Sequence, residues 1–245
     1  LAGKAGATFK ENNKEKQIGY KELFNPDNIV NIPGLGNLSY YSNRDSLSYI
    51  SIYELFDIST FVRTTLRYPE FCSGWNILAA HGLTDENRII DTDGMSLHSF
   101  YRLFFKESIP QGLFYDQLVF LGYNDNHTII NKGKCSAADV LQFILEKKLA
   151  LQPEDRDMIV MLHEIDYALD GRNHSVKSSL IVKGEDNIKT AMAKTVGLPL
   201  AIAAKLILEE KIKLTGLHIP VISEIYLPVL QELEEYGIKF HEEIS

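Results

Sequence analysis

Apolar and polar positions change their period several times along this chain of 245 residues. Residues 1–25 hold no sustained period and carry a charged run at 10–16, so an irregular, partly frayed lead-in is expected there. Asn28-Ile29-Val30-Asn31-Ile32 alternates and predicts a short strand, which the turn chemistry of Pro33-Gly34-Leu35-Gly36-Asn37 ends. Over 46–55 the apolar residues Leu47, Ile50, Ile52, Tyr53 and Leu55 fall at helical spacing. Asp45 or Ser46 can cap that helix, because a side-chain oxygen there accepts an otherwise unpaired amide. Residues 60–66 are β-branched and aromatic and predict a second strand.

A helical period then takes over. Phe71, Trp75, Leu78 and Ala79 share a helix face that stops at Gly82, and a loop follows at 84–94. Three further amphipathic helices are expected at 97–105, 111–121 and 136–148, the last opened by Ser136 as N-cap with Asp139 three residues on. Two strands, 157–167 and 175–183, flank Asp170-Gly171-Arg172-Asn173, whose turn chemistry predicts an antiparallel hairpin. A helix is expected from 199 to 210, with Pro199 in its first turn and apolar residues nearly all round, so burial in a core or an interface is expected. The last helix, 223–236, contains Pro228, which implies a kink or a later start. This order predicts an α+β fold. A mixed-sheet domain would be built from 1–68 and 154–200, interrupted by an all-helical subdomain at 69–153 and followed by C-terminal helices at 201–245.

Composition narrows the function classes. A hydrophobic fraction of 45% is enough for a real core, and a net charge of -8 with no basic block argues against nucleic acid or an anionic membrane as partner. No apolar run reaches the roughly 18 residues of a membrane span. Cys72 and Cys135 lack metal-ligand spacing and read as reduced thiols of a cytosolic protein. The chain opens on Leu1, so a piece of a longer protein is expected. A dinucleotide-binding unit needs GxGxxG between strand and helix, and Gly34-Leu35-Gly36 is not followed by the third glycine, so no Rossmann domain and no bound nucleotide are expected in these residues. HExxH, a P-loop and a GxSxG elbow are also missing, and no metal site is expected.

Two clusters carry candidate chemistry. Tyr41-Ser42-Asn43-Arg44-Asp45-Ser46 lies just before a predicted helix, where backbone amides and the Arg44 guanidinium can receive a carboxylate. Arg63, Thr65 and Arg67 alternate on a predicted strand and would share one face as a forked anion receptor. Together they suit a small molecule with several carboxylates. The residues name no general acid.

At these motifs the chain resembles the saccharopine dehydrogenases. Tyr41-Ser42-Asn43-Arg44-Asp45-Ser46-Leu47 is similar to their YPNRDS motif, and Thr65-Leu66-Arg67-Tyr68 with Phe71 to their GTLRYxGF stretch. Asp157-Met158-Ile159-Val160-Met161, the run from Ala191 to Pro199, and 216–230 resemble the later DMIVM, AMAKTVGLP and GxxxPxxxEIYxPxL segments. Thr64 and Glu70 stand where the family has glycine, which would reshape the pocket. The resemblance implies the substrate-binding and dimerisation part of an NADP-linked, glutamate-forming enzyme, with a dehydrogenase C-terminal-domain-like sheet. Arg44, Thr65, Leu66 and Arg67 would contact a saccharopine or glutamate-type amino acid. NADP would bind the Rossmann domain of the full-length parent and not this chain, so the isolated chain would be inactive. The parent would be a homodimer of lysine metabolism, cytoplasmic, or mitochondrial if fused to a eukaryotic partner enzyme. The alternatives are a carboxynorspermidine-type imine reductase, whose cationic substrate would call for an acidic pocket instead of Arg44 and Arg67, and a non-catalytic binding or dimerisation module.

Overall fold

The structure is a computed structural model and describes residues 4–107, 109 and 111–245. The chain divides into two compact units: Leu1–Asn31 with Leu35–Ala150, and Leu151–Ser245 with Ile32–Gly34. The sequence reading set 154–200 together with 1–68; by contacts, 1–31 and 35–68 group with 69–150, and 151–245 group with 32–34.

The first unit opens on strands β1 (Ala7–Glu11) and β2 (Lys14–Ile18), where a frayed lead-in was expected. Asn12 and Asn13 both take left-handed backbone, φ 51 and 61, the geometry of a two-residue hairpin turn, and asparagine tolerates it. Ala7 and Phe9 alternate into the core and fix which face is buried. Next come α1 (Tyr20–Leu23), β3 (Ile29–Ile32), β4 (Gly36–Ser42), β5 (Arg44–Asp45), α2 (Ser48–Ile52) and β6 (Thr64–Arg67). One sheet runs β2-β1-β5 and another β3-β4-β6. The β1–β5 ladder, Ala7–Thr8 with Arg44–Asp45, is parallel and two residues long, and no doubly wound parallel sheet is present among the described residues.

The remainder of this unit is α3 (Pro69–Ala80), β7 (Ile89–Asp91), α4 (Leu97–Arg102), α5 (Leu113–Phe120), β8 (Lys134–Ser136) and α6 (Ala137–Lys148). The block is therefore not all-helical: β7 and β8 pair antiparallel, Ile89 with Ser136. Three-residue strands are too short to leave a periodic signal. Ser136 caps α6 as expected: its hydroxyl accepts from the Asp139 amide at 3.1 Å, and the Asp139 carboxylate accepts from the Ser136 amide at 2.9 Å. The helices close on Phe100, Tyr101, Leu118, Leu141 and Ile144, all buried.

The second unit is a three-stranded antiparallel sheet, order β11-β10-β9, formed by β9 (Met158–Leu169), β10 (Arg172–Lys183) and β11 (His241–Ile244). Asp170 and Gly171, φ 50 and 72, turn the β9–β10 hairpin. A π-helical turn (Ala193–Gly197) leads into α7 (Leu198–Leu208), and α8 (Ser223–Glu235) continues through Pro228, giving up one backbone hydrogen bond. The Asp157 carboxylate accepts the amides of Ala191 at 2.5 Å and Met192 at 3.0 Å and so ties the foot of β9 to the start of that helical run. Leu180 and Val182 of the sheet meet Ile202, Leu206, Val229 and Leu233 of α7 and α8 in one core. The expected burial of α7 on all sides does not occur: Ile202 and Leu206 are its buried residues, while Leu200 is 73% and Leu208 85% exposed.

Candidate substrate-binding site

β4 and β6 pair antiparallel with Ser39 opposite Arg67, Tyr40 opposite Leu66, Tyr41 opposite Thr65 and Ser42 opposite Thr64. Directly opposed residues share a face, and neighbours along a strand alternate. Tyr41, Thr65 and Arg67 therefore lie on one face. The Leu66 side chain lies on the other, so only its backbone is available beside Thr65 and Arg67. Its carbonyl already accepts from Arg67 Nη1 at 2.8 Å.

An aromatic floor supports this face. Tyr41 is buried with Phe24 and Cys72, and the Tyr41 and Phe24 rings lie 4.8 Å apart. α3 starts directly after the strand, with Pro69 in its first turn, and brings up Phe71, Cys72 and Trp75. Phe71 and Trp75 stack at 5.6 Å, and Trp75 Nε1 donates to the Tyr20 hydroxyl at 3.1 Å. The exposed Arg67 guanidinium sits 5.7 Å from the Phe71 ring centroid. Its planar fork has five N–H donors, and the bond to Leu66 uses one of them.

Burial raises the Tyr41 phenol above its ordinary range, against the opposing pull of the Arg67 charge and a hydrogen bond from Thr65. Burial also raises the Cys72 thiol, and Arg67 again opposes it. The phenol thus stays a neutral donor and the thiol stays unreactive. A cation, a hydroxyl and a phenol lie over aromatic rings here, and each is a group from which a carboxylate can accept a hydrogen bond. Among the described residues, no group of three or more metal-ligating side chains comes together.

Arg63 and Arg44 are placed differently from the sequence expectation. Arg63 lies just before β6, its carbonyl accepting from the Asn43 amide at 2.8 Å, and its guanidinium is engaged away from the Phe71 ring over which Arg67 sits. The Arg63 guanidinium lies 3.8 Å from the Tyr49 ring centroid and donates to the Asp45 carbonyl at 3.5 Å. The start of α2 does not offer open amides either. Asp45 Oδ1 accepts from Leu47 at 2.8 Å, from Ser48 at 3.4 Å and from the Thr8 hydroxyl at 3.1 Å. Hydrogen bonds, that from the Ser48 side chain first, hold the Asp45 carboxyl below its usual range. Arg44 itself is exposed, with left-handed backbone at φ 51 held by pairing to Ala7. Among the described residues its side chain has no hydrogen-bond or ion-pair partner.

The sequence reading placed Tyr41 at the head of the polar cluster before α2 and gave it no role beside Thr65 and Arg67. The run Leu38-Ser39-Tyr40-Tyr41-Ser42 after a glycine turn carries a strand signal, but the partner of Tyr41 depends on the β4–β6 register.

Comparison with known proteins agrees with the motifs. Residues 1–238 match the saccharopine dehydrogenase C-terminal domain family. The alpha-aminoadipic semialdehyde synthase of Arabidopsis thaliana is 30% identical over 98% of this chain and 26% of its own length. The NADP(+), L-glutamate-forming saccharopine dehydrogenase of Saccharomyces cerevisiae is 30% identical over 82% of this chain and 50% of its own length. The solved apo structure of a histidine-tagged L-Glu-forming saccharopine dehydrogenase from that yeast superposes with a TM-score of 0.81 at 26% identity, covering 100% of this chain and 60% of that one. The chain thus spans about a quarter of the synthase and half or somewhat more of the stand-alone dehydrogenases. With a family match over nearly all of its residues, the chain belongs to the saccharopine dehydrogenase C-terminal domain family.

Proposed function

We propose that this chain is the substrate-holding portion of an NADP-linked saccharopine dehydrogenase, in which Arg44, Thr65, Arg67 and the Leu66 backbone bind the carboxylates of saccharopine or glutamate. The observation that carries the reading is the β4–β6 face, with Thr65 opposite Tyr41 and the exposed Arg67 guanidinium beside them. The parent reaction condenses glutamate with 2-aminoadipate 6-semialdehyde, with loss of water, and reduces the resulting imine to saccharopine. NADPH supplies the hydride. This chain offers no cradle for it, since a glycine-rich turn between strand and helix is missing and no doubly wound parallel sheet is present among the described residues. The task left to these residues is to hold a polycarboxylate amino acid in one orientation.

The same reading assigns the parent's nucleotide-binding domain to the open apolar surface of α7 and α8, where Leu200, Leu208, Leu227 and Leu230 are exposed. It makes the parent a homodimer. Localisation follows the parent, cytoplasmic for a stand-alone enzyme and mitochondrial for a fused one, and some relatives carry a mitochondrial name. Among the described residues no helix is long and apolar enough to cross a membrane. A polyamine-precursor reductase is disfavoured, because a cationic substrate would meet Arg67 and Arg44.

The test is calorimetric titration with saccharopine, on this chain and on the parent with NADP, for the natural sequence and for Arg44→Ala and Arg67→Ala. A lost charge-assisted hydrogen bond is worth about 1.5–3 kcal/mol, so affinity should fall roughly tenfold or more in each variant. Equal affinity in all three proteins, or no binding by chain and parent alike, overturns the proposal.

A further inference from the structure

α5 reaches α3 through a polar side chain. Gln117 Nε2 donates to the Glu70 carbonyl at 2.9 Å. That carbonyl lies in the first turn of α3, where helix geometry gives it the Gly74 amide as its ordinary partner. Only the amide nitrogen can donate to it, so Gln117 Oε1 is turned toward Gly74. The oxygen is buried without a hydrogen-bond partner among the described residues. Gly74 makes room for it. A Cβ there would lie 2.3 Å from Gln117 Oε1 and 3.0 Å from its Cδ, and the three nearest atoms it would meet all belong to Gln117.

A glycine inside a helix and a buried acceptor without a partner are both destabilising. These two penalties accompany a bond to a carbonyl that the helix satisfies by itself, so folding does not account for the bond, whereas its location does. Glu70 is followed by Phe71, which stacks on Trp75 at 5.6 Å and has the Arg67 guanidinium 5.7 Å from its centroid. Between Arg67 and α3 stands only Tyr68, and Pro69 restricts the backbone at the helix entry. A bond that holds the first turn of α3 therefore holds the aromatic floor against the end of β6. We infer that Gln117 is a positioning residue of the carboxylate site: through the Glu70 carbonyl it fixes the first turn of α3, and with it the Phe71 ring and the Arg67 guanidinium. The inference rests on the polycarboxylate reading above and extends that site to α5.

The test breaks the bond from both sides, in this chain and in the parent with NADP. Gln117→Met keeps the length of the side chain and removes the donor. Gly74→Ala keeps the glutamine and drives its amide off Glu70, because what stands in the way is the far end of a flexible side chain. Each should weaken saccharopine binding in calorimetry roughly three- to tenfold, the worth of one hydrogen bond. Neither should lower the melting temperature, and Gly74→Ala should raise it, since alanine suits a helix interior better. Added to Arg67→Ala, Gln117→Met should weaken binding no further. In the ligand-free chain the emission of Trp75, its one tryptophan, should shift in both variants as the floor loosens. Absence of saccharopine binding by the unsubstituted chain and parent alike overturns the carboxylate site and this inference together. Where saccharopine binds and Arg67→Ala weakens it, the role of Gln117 alone is overturned by unchanged affinity or unchanged Trp75 emission in both variants, with or without a lower melting temperature. A full further loss from Gln117→Met on top of Arg67→Ala overturns it as well.

Discussion

Replacing Asp157 should unfasten the second unit from within. Its carboxylate accepts two amides, Ala191 at 2.5 Å and Met192 at 3.0 Å, and joins the foot of β9 to the helical run that ends in α7. Ala191 is fully buried, whereas Met192 is exposed. In Asp157→Ala the Met192 amide can turn to water, but the Ala191 amide is left without an acceptor. An unsatisfied buried amide costs about 1–3 kcal/mol, and losing an N-terminal cap costs about 1 kcal/mol. The two overlap, so the expected loss is about 2–3 kcal/mol. The site is also built around the acid: a Cβ at Gly184 would come within 2.3 Å of Asp157 Oδ1, so no neighbouring side chain stands ready to replace it. Asp157→Asn keeps one acceptor oxygen and turns an amide donor toward the second N–H, so it should cost about half as much. Equilibrium urea unfolding followed by circular dichroism measures both, and hydrogen exchange at the Ala191 amide reports the local opening. If Asp157→Ala stays within about 0.5 kcal/mol of the unsubstituted chain, the clamp is not what secures this unit.

Two further outcomes separate buried from open positions and charged from neutral ones. On α7, Ile202→Ala should cost about 2–5 kcal/mol by opening a cavity, while Leu200→Ala should stay within about 0.5 kcal/mol; chemical denaturation of the chain compares them, and equal losses would contradict the one-sided packing of that helix. The Asp125 carboxyl is held down to about 2 by the Thr128 amide, the Thr128 hydroxyl and the His127 amide. Because this folded value lies below the ordinary 3.8, its contribution is present above about pH 4 and lost as pH falls toward 2. Asp125→Asn should therefore melt lower than the unsubstituted chain at pH 6 and converge with it near pH 2; parallel melting curves across that range would show that Asp125 is not linked to folding.

The features legible in the sequence are those whose cause is local. Ser136 and Asp139 cap α6 because the two residues meet within one turn, and Asp170-Gly171 turns a hairpin because both residues accept left-handed backbone. The β1–β2 hairpin has a cause of the same kind in Asn12-Asn13, but its strands are polar enough to read as a charged lead-in. Burial is another matter. The apolar residues of α7 run nearly all round, and periodicity cannot say how many sides have a partner; the second unit supplies one, through Ile202 and Leu206. The candidate site divides in the same way. Thr65 and Arg67 share a face because the strand alternates, which the sequence shows. Arg63 turns its guanidinium to Tyr49 and the Asp45 carbonyl, and both partners come from an earlier element. Tyr41 joins the face only through a cross-strand register.

The motifs that carried the family resemblance are also of two physical kinds. Asp157, at the head of the DMIVM segment, binds the first amides of the AMAKTVGLP segment, so those two stretches are matched to each other as a fastening. Gly184 is part of it, since a side chain there would collide with the carboxylate. The Thr65-Leu66-Arg67 stretch is different. Arg67 spends one donor on the backbone beside it and faces outward over aromatic rings, with no carboxylate of the chain paired to it among the described ion pairs. An unpaired guanidinium over a built floor contributes little to folding, and it is what an anionic ligand requires. Asp45 shows the contrast within a single motif: its carboxylate is consumed by Leu47, Ser48 and Thr8, while the adjacent Arg44 is held in left-handed backbone with its side chain unengaged. In that motif the acid fixes the backbone and the base is unengaged; on the proposed reading, calorimetric titration with saccharopine should show weaker binding on loss of Asp45, through misplacement of Arg44, and weaker binding with the fold intact on loss of Arg44.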